Sequence, residues 1–226
     1  MTADDPADDL PTNLDDSPPP EFPLWARFLN GFRVGVDQIA EAGGWLAARL
    51  VAVIFVIGIL NVVLRYYGRE SSQTLVSNLY IDSQWQIYAV VFLIGFPYAM
   101  KHQLNPRVDF WHVNYSKRRK AAIDLVLHTV LFLPFTILAI RLTWPFAATA
   151  MGRGFDGTWS TWRVWEIWET SASPDGLALG PVKFLMVVGF TLLALQTLAE
   201  MIRNLLILQG HDEVMVADFD PTIRVE

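Results

Sequence analysis

The sequence contains no cysteine at any of its 226 positions. Disulfide bonds, thiolate metal sites and thiol nucleophiles are therefore excluded. Charge is also scarce, because only 18% of the residues are Asp, Glu, Lys or Arg, whereas about a quarter are charged in an average soluble domain. The net charge of −6 argues against nucleic acid as a partner, since phosphate binding needs a basic surface.

The first 21 residues lack Lys and Arg altogether. Their acidic residues are Asp4, Asp5, Asp8, Asp9, Asp15, Asp16 and Glu21. Prolines recur through the same stretch, and apolar residues are few. Burial in such a segment does not offset the entropy of ordering the chain, so residues 1–23 are predicted to be a disordered tail. A secretory signal peptide would instead begin with positive charge and continue into an apolar stretch.

Charge is missing mainly from four apolar windows, at about residues 45–64, 85–100, 123–146 and 182–208. Roughly 20 such residues cross the roughly 30 Å hydrocarbon core of a bilayer as a helix. We therefore expect an all-α membrane domain over residues 24–210, with Pro134 kinking the third helix. Five cations near the window ends are expected to reach the interface by snorkelling: Arg49, Arg65, Lys101, Arg141 and Lys183.

Aromatic and basic residues indicate where the windows end and how they are oriented. Five tryptophans flank the windows, where an indole ring can stay at the headgroup level: Trp25, Trp45, Trp85, Trp111 and Trp144. The loop between the second and third windows is the richest in Lys and Arg, and it includes the run from Lys117 to Lys120. The positive-inside rule therefore predicts that this loop and both termini are cytoplasmic, with residues 211–226 forming a cytoplasmic tail.

A further helix is predicted just before the first window. Over residues 24–42 the apolar residues recur every three or four positions, as on one face of a helix. Gly43 and Gly44 are expected to end this helix. It is interpreted as an amphipathic helix in the cytoplasmic interface or as a helix packed against a partner protein, and the sequence does not separate the two. Its polar side chains, Asp37 and Glu41 among them, are expected to lie largely away from the apolar stripe.

The loop after the third window carries Trp159, Trp162, Trp165 and Trp168 at intervals of three residues. On a helix this spacing gives a broad aromatic face, so an aromatic-rich helix is predicted in this periplasmic loop. The face is interpreted as an interfacial anchor or a subunit contact. A stacking platform for a sugar or a base is the alternative interpretation.

Nothing in the sequence indicates catalysis, a cofactor or a metal site. Membrane haem needs histidine pairs on neighbouring helices, and only His128 lies inside a window. No acidic residue lies near the middle of a window, where a proton relay or an ion site would place one. Gln196 and Asn61 are expected to form interhelical hydrogen bonds, and Glu200 is expected to pair with Arg203 one turn later. The chain also lacks the broken helices and repeats of transporter cores.

Three stretches match one known family in their order and spacing. The first is Asn61-Val-Val-Leu-Arg65-Tyr66 at the end of the first window. The second extends from Asp82 and Trp85 through Gly95 and Tyr98-Ala-Met-Lys101 to Arg107-Val108-Asp109. The third extends from Trp168-Glu169-Thr170-Ser171 to Ala199-Glu200-Met-Ile-Arg203. Together they resemble the small membrane (DctQ-like) subunit of tripartite ATP-independent periplasmic (TRAP) transporters over about residues 24–210, although Asn105-Pro106 replace a His-Val pair and Asp82 stands where many members have Glu.

The resemblance implies a small permease subunit in the bacterial inner membrane. Its implied partners are membrane lipids, a periplasmic solute-binding protein and a large multi-span subunit that carries the solute and sodium sites. The small subunit would scaffold the large one during sodium-coupled uptake of an organic anion such as a carboxylate. A membrane-anchoring redox or haem subunit and a self-sufficient small channel are the alternatives.

Candidate residues for the subunit interface are polar side chains in the matching stretches, and each of them is equally consistent with a cap or a pair within this chain. They are Asp82, Arg107, Asp109, Glu169, Gln196, Glu200 and Arg203. The sequence does not identify the transported solute, because the residues of its pocket would lie in other chains.

Overall fold

The structure is a computed structural model that describes residues 23–71, 78–104, 115–154, 156–159, 161–173 and 176–211. Its helices are α1 (Leu24–Glu70), α2 (Asn78–Lys101), α3 (Lys117–Leu127), α4 (Leu133–Ala150) and α5 (Gly180–Leu208). A π-helical turn, His128–Phe132, joins α3 to α4, and the three together form one 34-residue rod. Counting that rod once, four helices are long and apolar enough to cross a membrane. The predicted all-α membrane fold with four spans is confirmed.

Helix α5 is the centre of the bundle. It packs against each of the other four helices, and 33% of its apolar window is buried, compared with 6% for α1. Small residues on α5 allow close approach, since a Cβ on Gly189 would lie 2.8 Å from the Cβ of Leu93 on α2. Small residues play this part in membrane helix pairs, where packing rather than hydrophobicity drives association.

Helix α1 is continuous over 47 residues, about 70 Å, so the predicted break at Gly43 and Gly44 is wrong. The two glycines instead lie where α2 crosses α1. A Cβ on Gly43 would lie 2.7 Å from the carbonyl oxygen of Ile94, and a Cβ on Gly44 would overlap the ring of Tyr98. Glycine weakens a helix by only about 1 kcal/mol relative to alanine, and the close packing with α2 accounts for its presence here.

The two halves of α1 differ in what they contact. In the first half, residues with buried side chains recur at steps of seven, three and four, namely Ala26, Arg33, Val36, Ala40 and Ala47. This period is typical of the seam between paired helices, and it faces α2 and α5. The second half exposes most of its apolar side chains, including Phe55 and Tyr66. The first half is therefore a packed part of the bundle rather than a separate interfacial helix.

A kink at Pro134 was predicted for the third span, and the structure has a π-helical turn just before that residue. Here the N–H of Leu133 bonds to the carbonyl of His128 five residues earlier. Proline has no N–H to donate to the preceding turn, and widening to a π turn is one way in which a helix accommodates such a gap. The hydroxyl of Thr136 then donates to the carbonyl of Leu133 at 2.9 Å.

The helix predicted for the tryptophan-rich loop is wrong. The loop contains a three-residue 3-10 turn, Val164–Glu166, and two isolated antiparallel bridges, Arg153 with Trp159 and Thr170 with Ala178. Gly157 has a φ of +82°, a value that favours glycine, and the N–H of Gly154 bonds to the carbonyl of Thr158 at 2.9 Å. These turns fold the backbone back on itself, so the tryptophans do not share one helical face.

The first prediction concerns the crossing of α1 and α2. Gly43→Ala is expected to destabilise the fold by about 1–3 kcal/mol, because the new methyl group would press on the backbone of Ile94, which cannot rotate away. Gly31→Ala is the matched control on the same helix, since a Cβ there meets nothing within 4 Å. It is expected to be neutral or stabilising by up to about 1 kcal/mol. Denaturant unfolding in detergent, followed by circular dichroism, measures both; an equal loss in the two variants would contradict the proposed packing role.

Candidate subunit interface

A polar contact in the bundle interior joins α1 to α5. The side chain of Gln196 on α5 is fully buried, and its Nε2 donates to Oδ1 of Asp37 on α1 at 3.0 Å. The other carboxylate oxygen of Asp37 accepts a hydrogen bond from Nη1 of Arg33 at 2.9 Å. The interhelical hydrogen bond predicted for Gln196 is confirmed, and its partner lies 159 positions away in the chain.

A second polar contact joins α1 to the end of α2. Oε1 of Glu41 lies 2.7 Å from Nζ of Lys101 and 2.7 Å from Nε2 of His102. The ammonium group of Lys101 also donates to the backbone carbonyl of Asp37 at 3.3 Å. We call the residues of these two contacts the polar junction; they are Arg33, Asp37, Glu41, Lys101, His102 and Gln196.

The polar junction corrects two expectations from the sequence. Asp37 and Glu41 face neighbouring helices instead of lying away from the packed stripe, and Lys101 pairs with Glu41 instead of only extending to the interface. The apolar pattern gave the wrong direction for Asp37 and Glu41 because Arg33, a charged residue, belongs to the buried stripe of α1. A cation at a buried position needs an anionic partner, and Asp37, one turn later, supplies it. This requirement was the signal available in the sequence.

Farther along α5, Glu200 and Arg203 form the predicted pair, with 3.7 Å between Oε2 and Nη1. The Glu200 side chain is 8% exposed and that of Arg203 is 31% exposed. Asn204 is buried beside them. These residues follow Gln196 toward the end of α5 that meets the start of α1, where the ring of Trp25 lies 5.6 Å from that of His211.

The other candidates lie at the opposite end of the bundle. Asp82 on α2 is 4% exposed, and its Oδ1 accepts a hydrogen bond from the indole of Trp85 at 3.1 Å. Nearby, Nε2 of Gln86 donates to the loop carbonyl of Ala178 at 3.3 Å. Asp82 therefore sits where the aromatic loop meets α2.

Glu169 closes the same loop onto α4 and α5. Its carboxylate pairs with Nζ of Lys183, and its backbone N–H donates to the carbonyl of Ala150 at 2.9 Å. The ammonium group of Lys183 also lies 4.2 Å from the ring centre of Phe146. Lys183 is thus held by this chain, although snorkelling alone was expected for it.

The structure separates the described candidates into two groups. Asp82 and Glu169 lie at the loop end, whereas Gln196, Glu200 and Arg203 lie toward the other end. Arg107, Asp109 and Trp111 fall outside the described residues. The hydrogen bond expected for Asn61 is not formed within the described part of the chain, where its buried Oδ1 has no partner.

The predicted tryptophan anchors differ in exposure. Trp162 is 75% exposed, lies 5.5 Å from Trp165 in an edge-to-face contact, and has the guanidinium of Arg163 5.1 Å from its ring centre. Exposed indoles are also presented by Trp25, Trp45, Trp85, Trp144, Trp159 and Trp165. Trp168 is half-buried and packs beside Gly180. Trp168 is therefore a packing residue of the loop, and the other described tryptophans retain surface that can meet an interface.

The loop also contains a small turn organised by an acidic residue. The carboxylate of Asp156 accepts hydrogen bonds from the hydroxyl of Thr158 at 2.7 Å and from its backbone N–H at 3.1 Å. These bonds stabilise the charged form and lower the pKa of Asp156 below its usual value. Across the residues that the structure describes, no group of three or more His, Asp or Glu side chains is placed to hold a metal ion.

The second prediction concerns the polar junction. In a double-mutant cycle of Asp37→Ala and Gln196→Leu, we expect a coupling energy of about 0.6 kcal/mol and at most about 1.7 kcal/mol, the range for hydrogen bonds between membrane helices. Unfolding in detergent or bicelles measures each variant. Thr191→Val with Asp37→Ala is the control cycle, because the hydroxyl of Thr191 bonds within α5 to the carbonyl of Val187. Coupling that is equal in the two cycles would argue against a specific α1–α5 bond.

Comparison with known proteins supports a transporter assignment. Residues 54–206 match the family model of the DctQ component of tripartite ATP-independent periplasmic transporters. Searches of curated proteins and of solved structures each gave no match. The matched residues begin in the second half of α1 and extend almost to the end of α5, so they include part or all of every apolar helix. This chain is therefore an integral membrane protein that belongs to the DctQ component family of the TRAP transporters.

Proposed function

We propose that this chain is a small permease subunit that scaffolds the large membrane subunit of a TRAP transporter. The complex would take up an organic anion, such as a carboxylate, by a sodium-coupled and binding-protein-dependent mechanism. The observation that carries the proposal is a division of the described residues into polar contacts within the chain and exposed apolar faces. Polar side chains fasten the helices of this chain to one another, whereas broad apolar faces on α1 and α4 have no neighbour within the described residues.

The apolar faces are large and continuous along their helices. On the second half of α1 they include Phe55, Val56, Ile59, Leu60, Val62 and Val63. On α4 they include Ile137, Leu138 and Leu142. In a membrane such faces contact lipid or another membrane subunit, and a scaffold needs both contacts. We assign the large subunit to the α1 side because the apolar window of α1 is the least buried of the four.

The length of α1 supports the same assignment. About 70 Å of helix is more than twice the roughly 30 Å that a span needs. The helix must tilt strongly or extend past the hydrocarbon, and the contacts of its first half with α2 and α5 hold it in either arrangement. A long rigid edge of this kind suits a static support for a neighbouring subunit.

We further propose that the protein lies in the bacterial inner membrane with both termini in the cytoplasm. The start of α1 and the end of α5 are at the same end of the bundle, because Trp25 contacts His211. The basic start of α3 is there too, since Nη2 of Arg118 donates to the carbonyl of Leu208 at 2.8 Å. The positive-inside rule favours the cytoplasm for this end, and the tryptophan-rich loop would then be periplasmic.

The third prediction tests the scaffold role. Co-expressed with the large subunit of its own transporter, the chain is expected to co-purify in detergent, and liposomes holding both subunits are expected to need a sodium gradient and the binding protein for uptake. Liposomes holding this chain alone are the control and should show no flux. Solute flux through those control liposomes would establish the channel alternative, and a haem absorbance band in the purified chain would establish the redox alternative.

The fourth prediction concerns the proposed contact residues Arg107 and Asp109. Arg107→Ala or Asp109→Ala is expected to weaken assembly with the large subunit about tenfold, equivalent to about 1.4 kcal/mol, without changing the affinity of the binding protein for its solute. Quantitative co-purification and calorimetry measure the two effects. Arg163→Ala is the matched control, because Arg163 pairs with Glu166 in the loop. Normal assembly together with altered solute specificity would refute the assignment.

A further inference from the structure

The end of the bundle where α1 begins and α5 ends carries a concentration of positive charge. Lys117, Arg118, Arg119 and Lys120 are consecutive at the start of α3, and the first turn of α3 contains no acidic residue. The first three of these side chains are exposed, and Lys120 is half-buried. We call this group the basic surface. Like charges so close together repel one another, so an anionic group placed against them is favoured.

We propose that the acidic N-terminal segment of this chain, residues 1–22, docks on the basic surface. The inference goes beyond the proposed function and does not depend on it. The segment has seven carboxylates and no Lys or Arg, which complements the four cations. The segment itself lies outside the described residues, and the described chain begins at Pro23, directly before α1.

The N-terminal segment and the basic surface both lie next to the end of α5. Trp25, in the first turn of α1, lies against His211, and Arg118, in the first turn of α3, bonds to Leu208. The starts of α1 and α3 therefore flank the same helix end. Each of the two helices packs on α5, so their starts are at most about 20 Å apart. Twenty-two residues can span up to about 70 Å when extended, so the segment reaches the basic surface with chain to spare.

The strength of the interaction follows from solvent exposure. A single exposed ion pair is weak and is screened by salt. Several pairs at once make docking favourable at low ionic strength and reversible at high ionic strength. Anionic lipid headgroups are attracted to cytoplasmic cations in the same way. The N-terminal segment and anionic lipid therefore compete for the basic surface.

Two other occupants are less favoured by charge or position. The C-terminal segment, residues 212–226, also starts at the end of α5, but it has five acidic residues and includes Arg224. Anionic lipid is present only where the membrane supplies it, whereas the tail is attached to the bundle. The N-terminal segment combines the larger charge with sufficient reach, and the experiment below separates the three occupants.

The absence of cysteine makes the test direct, because two introduced cysteines carry the only spin labels. The full chain with Ser17→Cys and Ser116→Cys is placed in nanodiscs of neutral phosphatidylcholine, and electron–electron dipolar spectroscopy measures the distance between the labels. Docking predicts a short, narrow distribution at about 0.05 M salt that broadens toward longer distances at about 0.5 M salt. Adding phosphatidylglycerol to the nanodiscs is expected to broaden it as well.

Charge variants identify the side chains that cause docking. Replacing the seven tail carboxylates with amides should abolish the short distance, and so should Arg119→Gln with Lys120→Gln, a pair that leaves the Arg118 contact with α5 intact. Arg69→Gln, at the other end of α1, is the control and should change nothing. Thermal unfolding shows whether each variant keeps the fold, and the tail variant alters only residues outside the packed helices.

Three results would overturn the proposal. One is a broad distribution in neutral lipid at low salt. Another is a short distance that survives neutralisation of the tail carboxylates. The last concerns a second label pair, in which Thr222→Cys replaces Ser17→Cys and Ser116→Cys is kept. A short distance in that pair would assign the basic surface to the C-terminal segment. A chain whose tail stays distant in neutral lipid, while phosphatidylglycerol binds the basic surface, would assign that surface to lipid.

Discussion

The buried hydrogen bond between Asp37 and Gln196 sets the register on which the other contacts in this bundle depend. In a membrane, apolar side chains alone specify helix positions weakly, because lipid tails are as apolar as leucine. The amide N–H of the buried Gln196 side chain has its acceptor in one alignment and would lose it in the neighbouring ones. Once Asp37 meets Gln196, the start of α1 necessarily lies beside the end of α5, where Trp25 contacts His211.

The same alignment fixes α2. With α1 held against α5, Glu41 meets Lys101 and His102, and one turn farther on Gly44 meets Tyr98. The order of these contacts is that of two antiparallel helices, and it continues to Gly58, where a Cβ would lie 2.9 Å from Nε2 of Gln84. A polar contact and a small-residue contact thus reinforce one register between α1 and α2. This agreement explains how a chain with weakly buried spans keeps a defined arrangement.

Hydropathy and charge were sufficient to predict the four spans and the pair of Glu200 with Arg203, because each depends on neighbours close in sequence. The partner of Gln196 could not be predicted, since it lies 159 positions away and competes with other polar residues. Gly43 and Gly44 were misinterpreted for a related reason. Glycine breaks helices locally, but it also permits close crossing, and the neighbour that decides between these roles is on α2.

The prediction of a helix in the tryptophan-rich loop was wrong for a different reason. A spacing of three is compatible with a helix, but a helix of that length also needs uninterrupted backbone hydrogen bonds. Here the loop backbone bonds instead to the helix ends, as the N–H of Glu169 does to the carbonyl of Ala150, and the side chain of Glu169 pairs with Lys183. Tertiary contacts therefore override the local periodicity.

Fastening at both ends has a mechanical consequence for the proposed scaffold. The polar junction holds α1, α2 and α5 together toward one end, and the contacts of Asp82, Gln86 and Glu169 hold the loop to α2, α4 and α5 at the other. Rotation of one helix within the bundle would have to break polar contacts in a low-dielectric environment, where an unpaired group is costly. The apolar faces of α1 and α4 carry no such contacts within the described residues, so a neighbouring subunit could pack there without disturbing the bundle. A chain built in this way resists internal motion while offering its outer faces, which is the combination that a support for a moving partner requires.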